Sequence, residues 1–209
     1  MREMANSTKK TSKPLKVLIT GFGPFPGMPV NPTGPLVEKL ATLDRRAFDG
    51  IKRTAHIFET SYAAVDRELP DLIARHRPDV LLMFGVAGRT RSIRIETLAR
   101  NNRSTAIPDA TGAYAGTAQI APDAPATAAL PTAAKAMFAA VKLAGLPVTV
   151  SKDAGGYLCN YLCWRAAKQA AAPGGPRIAA FVHVPNTRLS PAQLVRAGAA
   201  ILSAALTLR

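Results

Sequence analysis

The strongest constraint on the fold of this 209-residue chain is an alternation of short apolar runs with stretches of helical spacing, punctuated by glycine and proline. Val17 to Thr20 is a β-branched run, followed by a Gly/Pro-rich turn and then by Leu36, Leu40 and Leu43, which recur along one helix face. Ile51 to Ile57 is predicted as a strand, Ala63 to His76 as a helix and Val80 to Phe84 as a buried strand. Ile93, Ile95 and Thr97 alternate with polar residues, the pattern of a strand with one open face. After an interruption the rhythm resumes. A helix from Thr132 to Leu143 is ended by Gly145 and Pro147, and a strand at Val148 to Ser151 leads to a helix from Tyr157 to Ala172. Ile178 to Val184 is a further strand, and Ser190, with Pro191 at the first helical position, caps a last helix to Leu208. This alternation specifies the α/β class with a largely parallel central sheet.

The interruption, residues 101 to 131, carries Pro108, Asp109, Gly112, Gly116, Pro122 and Pro125 but few bulky apolar residues, and reads as an irregular insert. Residues 1 to 15 are polar and basic with no apolar h-region, so neither a secretory signal nor a lipid anchor is supported. They are expected to form a disordered tail ahead of a single α/β domain over residues 16 to 209. No apolar run approaches the roughly 18 residues of a membrane span. The balance of 27 Lys and Arg against 13 Asp and Glu gives a formal charge of +14, which would suit a nucleic-acid binder. Position argues otherwise. Arg2, Lys9, Lys10, Lys13 and Lys16 sit at the start of the chain, and the remaining bases are scattered without aromatic interleaving, so no specific nucleic-acid partner is expected. Cys159 and Cys163 lie four apart in a helical segment, a poor disulfide geometry, and reduced cytoplasm is the expected compartment.

In α/β sheets, sites form beyond the carboxyl ends of strands. Gly21-Phe22-Gly23-Pro24-Phe25, followed by Asn31, lacks the ending of a phosphate loop, and its two phenylalanines either wall a ring-sized apolar pocket or fill the core edge. Asp153 to Asn160 pairs two glycines with a helix start, placing Cys159 in a first turn where backbone N–H groups stabilise a thiolate. Alone, such a cysteine reads as a small buried hydrophobe. His183 closes an apolar strand and reads as a core histidine, unless the two residues meet, when they supply the nucleophile and base of thiol hydrolysis. Glu96 offers the histidine an orienting carboxylate, or else lies on the solvent face paired with Arg94 or Arg100. His56, His76 and His183 show no ligand spacing with cysteine or carboxylates, so neither a metal nor a cofactor is expected.

Taken together, Gly21-Phe22-x-Pro24-Phe25 with Asn31-Pro32, Gly85-x-Ala87-Gly88, Ile93-x-x-Glu96 with Ala99-x-Asn101, Ile107-Pro108-Asp109, Ala154-Gly155-x-x-x-Cys159-Asn160 and Phe181-x-His183-x-Pro185 resemble the pyrrolidone-carboxylate peptidases (pyroglutamyl peptidase type I). The motifs follow the family's order from Lys16 to Pro185. The resemblance implies an open α/β/α sandwich and a cytoplasmic cysteine peptidase that acts, as a homodimer or homotetramer, on peptides with N-terminal pyroglutamate. It also implies Cys159 as nucleophile, His183 as base and Glu96 as orienter, with Phe22, Phe25, Asn31 and Ile107 against the substrate. The chain departs from the family pattern at Val86, where a glutamine is usual, at Arg89, where a glycine is usual, and at Ala106, where an arginine is usual. At the level of sequence, two alternatives therefore stay open: an amidase for a different small acyl group, and a catalytically silent binding protein of the same fold.

Overall fold

The computed structural model describes residues 13–207. The chain runs β1 (Lys16–Phe22), α1 (Thr33–Thr42), β2 (Lys52–Phe58), α2 (Tyr62–His76), β3 (Val80–Ala87), β4 (Ile93–Glu96), β5 (Leu98–Arg100) and β6 (Thr127–Ala129). It continues through α3 (Ala134–Leu143), β7 (Val148–Ser151), α4 (Leu158–Ala171), β8 (Ile178–Pro185) and α5 (Pro191–Thr207). Six strands form one sheet in the order β2-β1-β3-β8-β4-β7. All neighbours pair in parallel except β4 and β8, which run antiparallel.

Central strands covered on both faces have no reason to alternate, and β8 is buried at every position. Its residues Val182 and Val184 pack with α1, α3 and α5, whereas Phe181 packs with α2 and α4. Two apolar cores thus sandwich the sheet, which is the expected α/β/α arrangement. The last helix starts as its sequence requires. Ser190 Oγ accepts from Gln193 N at 3.3 Å, Gln193 Oε1 accepts from Ser190 N at 2.8 Å, and Pro191 takes the first helical position.

Three expectations need correction, and one lies largely out of reach. The strand at Ile93 has no open face at its carboxyl end: Ile93 and Ile95 enter the core with α3 and α5, and Glu96, on the opposite face, is equally buried. The insert is not wholly irregular, because its roots pair as an antiparallel ribbon, β5 with β6. Leu43 stands just outside α1, in extended conformation. Most of the expected disordered tail lies outside the described residues, although the Leu15 carbonyl already accepts from Lys52 N at 2.8 Å.

Candidate active site

The strands β3, β8 and β4 meet beneath the start of α4. Gly85 lies opposite His183 in the parallel pair, and Arg94 lies opposite His183 in the antiparallel pair. Alternate residues of a strand share a face. With Ile93, Ile95, Val182 and Val184 committed to the α1 side, the side chains of Arg94, Glu96 and His183 occupy the α4 side. Gly155, at φ 84°, lets the chain turn between β7 and α4, and this turn sets Cys159 as the second residue of the helix. A Cβ on Gly85 would lie 2.9 Å from Cys159 Sγ and 2.6 Å from Phe181 Cζ. The missing side chain is what lets the thiol settle on the sheet.

His183 Nδ1 is 2.8 Å from Glu96 Oε1, and Glu96 is wholly buried. An ionised carboxylate only accepts, so Nδ1 carries the proton and Nε2 is left for Cys159. Burial works against a charged imidazole here, yet the charge and hydrogen bond of Cys159, followed by those of Glu96, push the His183 pKa up to about 9. The ring thus stands between the Cys159 thiol on one side and the Glu96 carboxylate on the other. Cys163, one turn further along α4, is fully buried, and burial pushes its thiol well above the ordinary cysteine range.

Tyr157 precedes α4 without a side-chain cap, and the first bond of the helix runs from Tyr161 N to Tyr157 O at 3.0 Å. The amide N–H groups of Leu158, Cys159 and Asn160 therefore have no acceptor within the helix and are free to hold a negative oxygen beside the thiol.

Cys159 and His183 open into a cavity of about 300 Å³ lined also by Phe22, Phe25, Asn31 and Val86. Of the site residues expected from sequence, Cys159, His183, Phe22, Phe25 and Asn31 come together here, with Glu96 buried behind His183. Ile107 does not join them: it is 50% exposed and absent from the cavity wall. Asn31 is heavily committed, since Nδ2 donates to Gly23 O at 2.9 Å while Oδ1 accepts from Thr33 N at 3.1 Å and Thr33 Oγ1 at 2.8 Å. One amide N–H of Asn31 stays available.

Sequence reasoning did not place Tyr157, Thr60 or Arg94 in the cavity wall. Tyr157 faces Phe25 with ring centroids 6.2 Å apart, and its hydroxyl donates to Pro108 O at 2.8 Å, tying the wall to the insert. Its position just ahead of the cysteine helix was the available signal. Arg94 donates through Nη2 to Ser151 Oγ and Asp153 O, both at 2.6 Å, and lies 3.2 Å from Glu96 Oε1. Glu96 Oε1 thus meets His183 and Arg94 at once, and it does so from a buried face of the sheet, not from solvent.

The profile of the family described as "Pyroglutamyl peptidase" matches residues 15–205. The chain belongs to the pyroglutamyl peptidase family. A pyrrolidone-carboxylate peptidase of Gloeobacter violaceus is 33% identical over 196 residues, covering 93% of this chain and 92% of the relative. That of Chromobacterium violaceum is 33% identical over 180 residues, covering 86% and 80%. Among solved structures, a mutant pyrrolidone carboxyl peptidase of Pyrococcus furiosus superposes with a TM-score of 0.85 at 25% identity, covering 92% of this chain and 99% of its own. The Thermococcus litoralis pyrrolidone carboxyl peptidase does so with a TM-score of 0.85 at 26% identity, covering 92% and 94%. The two solved structures share the fold of this chain, so the cavity described above sits in a family fold rather than an isolated one.

Proposed function

We propose that this chain is a cysteine peptidase that hydrolyses the amide bond after an N-terminal pyroglutamyl residue, with Cys159 as nucleophile, His183 as base and acid, and Glu96 as orienter. The observation that carries the reading is the meeting of Cys159 and His183 in an aromatic-walled cavity, with Glu96 on the far nitrogen of the ring. The Cys159 thiolate attacks the acyl carbonyl, and the developing oxyanion is held by the free amides at the start of α4. His183 gives its Nε2 proton to the leaving amine, and a thioester to Cys159 remains. The neutral ring then takes a proton from water as the hydroxide attacks; the thioester breaks, and the free acid leaves with Cys159 again a thiolate.

Phe22, Phe25 and Tyr157 hold the flat lactam and exclude water, while the uncommitted N–H of Asn31 reaches its carbonyl. Ile107, away from the cavity wall, takes no part in this reading. The family setting extends the proposal to residues 16 to 209 acting as one catalytic unit, in the cytoplasm, as a homodimer or homotetramer. Light scattering of the purified protein checks the last point. Steady release of chromophore from a pyroglutamyl anilide, with little from the prolyl anilide, is the expected outcome; no release at micromolar enzyme would overturn the reading.

A further inference from the structure

Glu96 is shared. Its Oε1 takes the His183 ring nitrogen at 2.8 Å and the Arg94 guanidinium at 3.2 Å, while the buried Oε2 has no partner among the described residues. The shorter contacts of Arg94 lie elsewhere, at 2.6 Å to Ser151 Oγ and 2.6 Å to Asp153 O. Its charge is therefore fixed in place by β7 and by the turn that leads to the nucleophile, and it does not depend on Glu96 for its position.

We propose that Arg94 is a positioning residue for the reaction: anchored by Ser151 and Asp153, its guanidinium shares the Glu96 carboxylate with His183 and keeps the ring's proton transferable. Thiol hydrolysis needs the imidazolium twice over, first as the holder of a proton beside the thiolate and then as its donor to the leaving amine. A buried ring facing one thiolate and one carboxylate is held strongly in the charged form. A permanent cation on the same carboxylate oxygen, directly across the strand pair, weakens that hold.

The other groups around the ring do not replace it. Cys159 faces it from α4 and strengthens the charged form, while Cys163, deeper on the same helix, acts on Cys159 and Glu96 and not on the ring. Asp153, at the cavity wall, is already paired with Arg100 at 3.4 Å. Phe181, on β8, meets the ring edge-on and is neutral.

The inference rests on the catalytic reading of Cys159 and His183, so its test includes a measurement made without substrate. The chain has three histidines, and a His183 variant identifies the His183 signal in an NMR titration. In Arg94→Met the His183 transition is expected to move up by about half a pH unit or more, and the alkaline limb of kcat with it. Arg94→Lys, which restores the charge, is expected to return both to within about 0.3 of a unit. A transition in Arg94→Met that stays in place or moves down would overturn the proposal, as would a shift of equal size in Arg94→Lys. Should wild type fail to release chromophore, the titration still decides the Arg94 question, and the two failures are told apart.

Discussion

His183 and Glu96 are joined by a 2.8 Å contact between Nδ1 and Oε1, formed on a face of the sheet where the carboxylate is cut off from water. A buried charge of this kind persists only with partners, and here its partners are the imidazole and one guanidinium. Replacing Glu96 with glutamine keeps the volume but removes the charge and puts an amide N–H donor in place of one carboxylate oxygen, so the Nδ1–H tautomer is no longer enforced. Turnover of a pyroglutamyl anilide by Glu96→Gln is expected to drop by about 10³ to 10⁴, the scale seen when an orienting carboxylate is lost from a triad. Activity within a few-fold of wild type would show that His183 is oriented by other groups.

The raised pKa of His183 fixes the sign of two pH effects. The proton needed by the leaving amine is lost as pH rises, so kcat/KM is expected to fall on the alkaline side with an apparent pKa near 9. Stability follows the same direction. A histidine held charged by the fold contributes fully below about pH 6.5 and loses that contribution as pH passes its folded value. In Cys159→Ala the strongest raising influence is gone while burial stays, so the NMR titration of His183 is expected to move down.

Gly85 makes a steric prediction. Its alanine variant would set a methyl group 2.9 Å from Cys159 Sγ and 2.6 Å from the Phe181 ring, both closer than carbon contacts allow. The thiol and the ring must shift. Overpacking of this kind costs about 1–3 kcal/mol of stability. Displacing the nucleophile by a fraction of an ångström is expected to cost about a hundredfold in kcat. Urea titration and steady-state kinetics measure the two effects separately, and a stable variant of full activity would contradict the placement of Cys159 over Gly85.

These relationships show where the sequence was readable and where it was not. The strands and helices were legible because buried parallel strands are continuous apolar runs and Ser190-Pro191 announces a helix start. The insert was not, because polar side chains organise it. Asn101 accepts from Ile120 N and Ala121 N and donates to Ala121 O and Ala124 O. Asp109 accepts from Tyr62 N, Thr111 N and Ala113 N, while Asn160 binds both Arg100 and Asn102. Such partners are chosen by tertiary structure and leave no periodicity to read. Cys159, His183 and Glu96 could be selected by chemical type, but the burial of Glu96 depended on α4 covering a face that alternation alone marks as open.

Val86 lines the cavity and its side chain has no hydrogen-bonding group, while the side-chain oxygen of Asn31 is already taken twice by Thr33. A lactam N–H enclosed without an acceptor costs about 1–3 kcal/mol. Wild type is accordingly expected to discriminate pyroglutamyl from prolyl anilides about ten- to a hundredfold less well than Val86→Gln. Arg89 is exposed and outside the cavity wall, so it does not occupy the space of the new side chain. Equal kcat/KM ratios in the two proteins would mean that other groups hold the lactam.

The assignment of the nucleophile is tested most directly by kcat/KM on a pyroglutamyl anilide for wild type, Cys159→Ala and Cys163→Ala. Both cysteines lie on α4, yet Cys159 borders the cavity and His183, whereas Cys163 is wholly buried with its thiol pushed well above the usual range. The expected result is turnover by wild type, none detectable in Cys159→Ala, and most of it retained in Cys163→Ala. Turnover by Cys159→Ala, or an equal loss in both variants, would contradict the account.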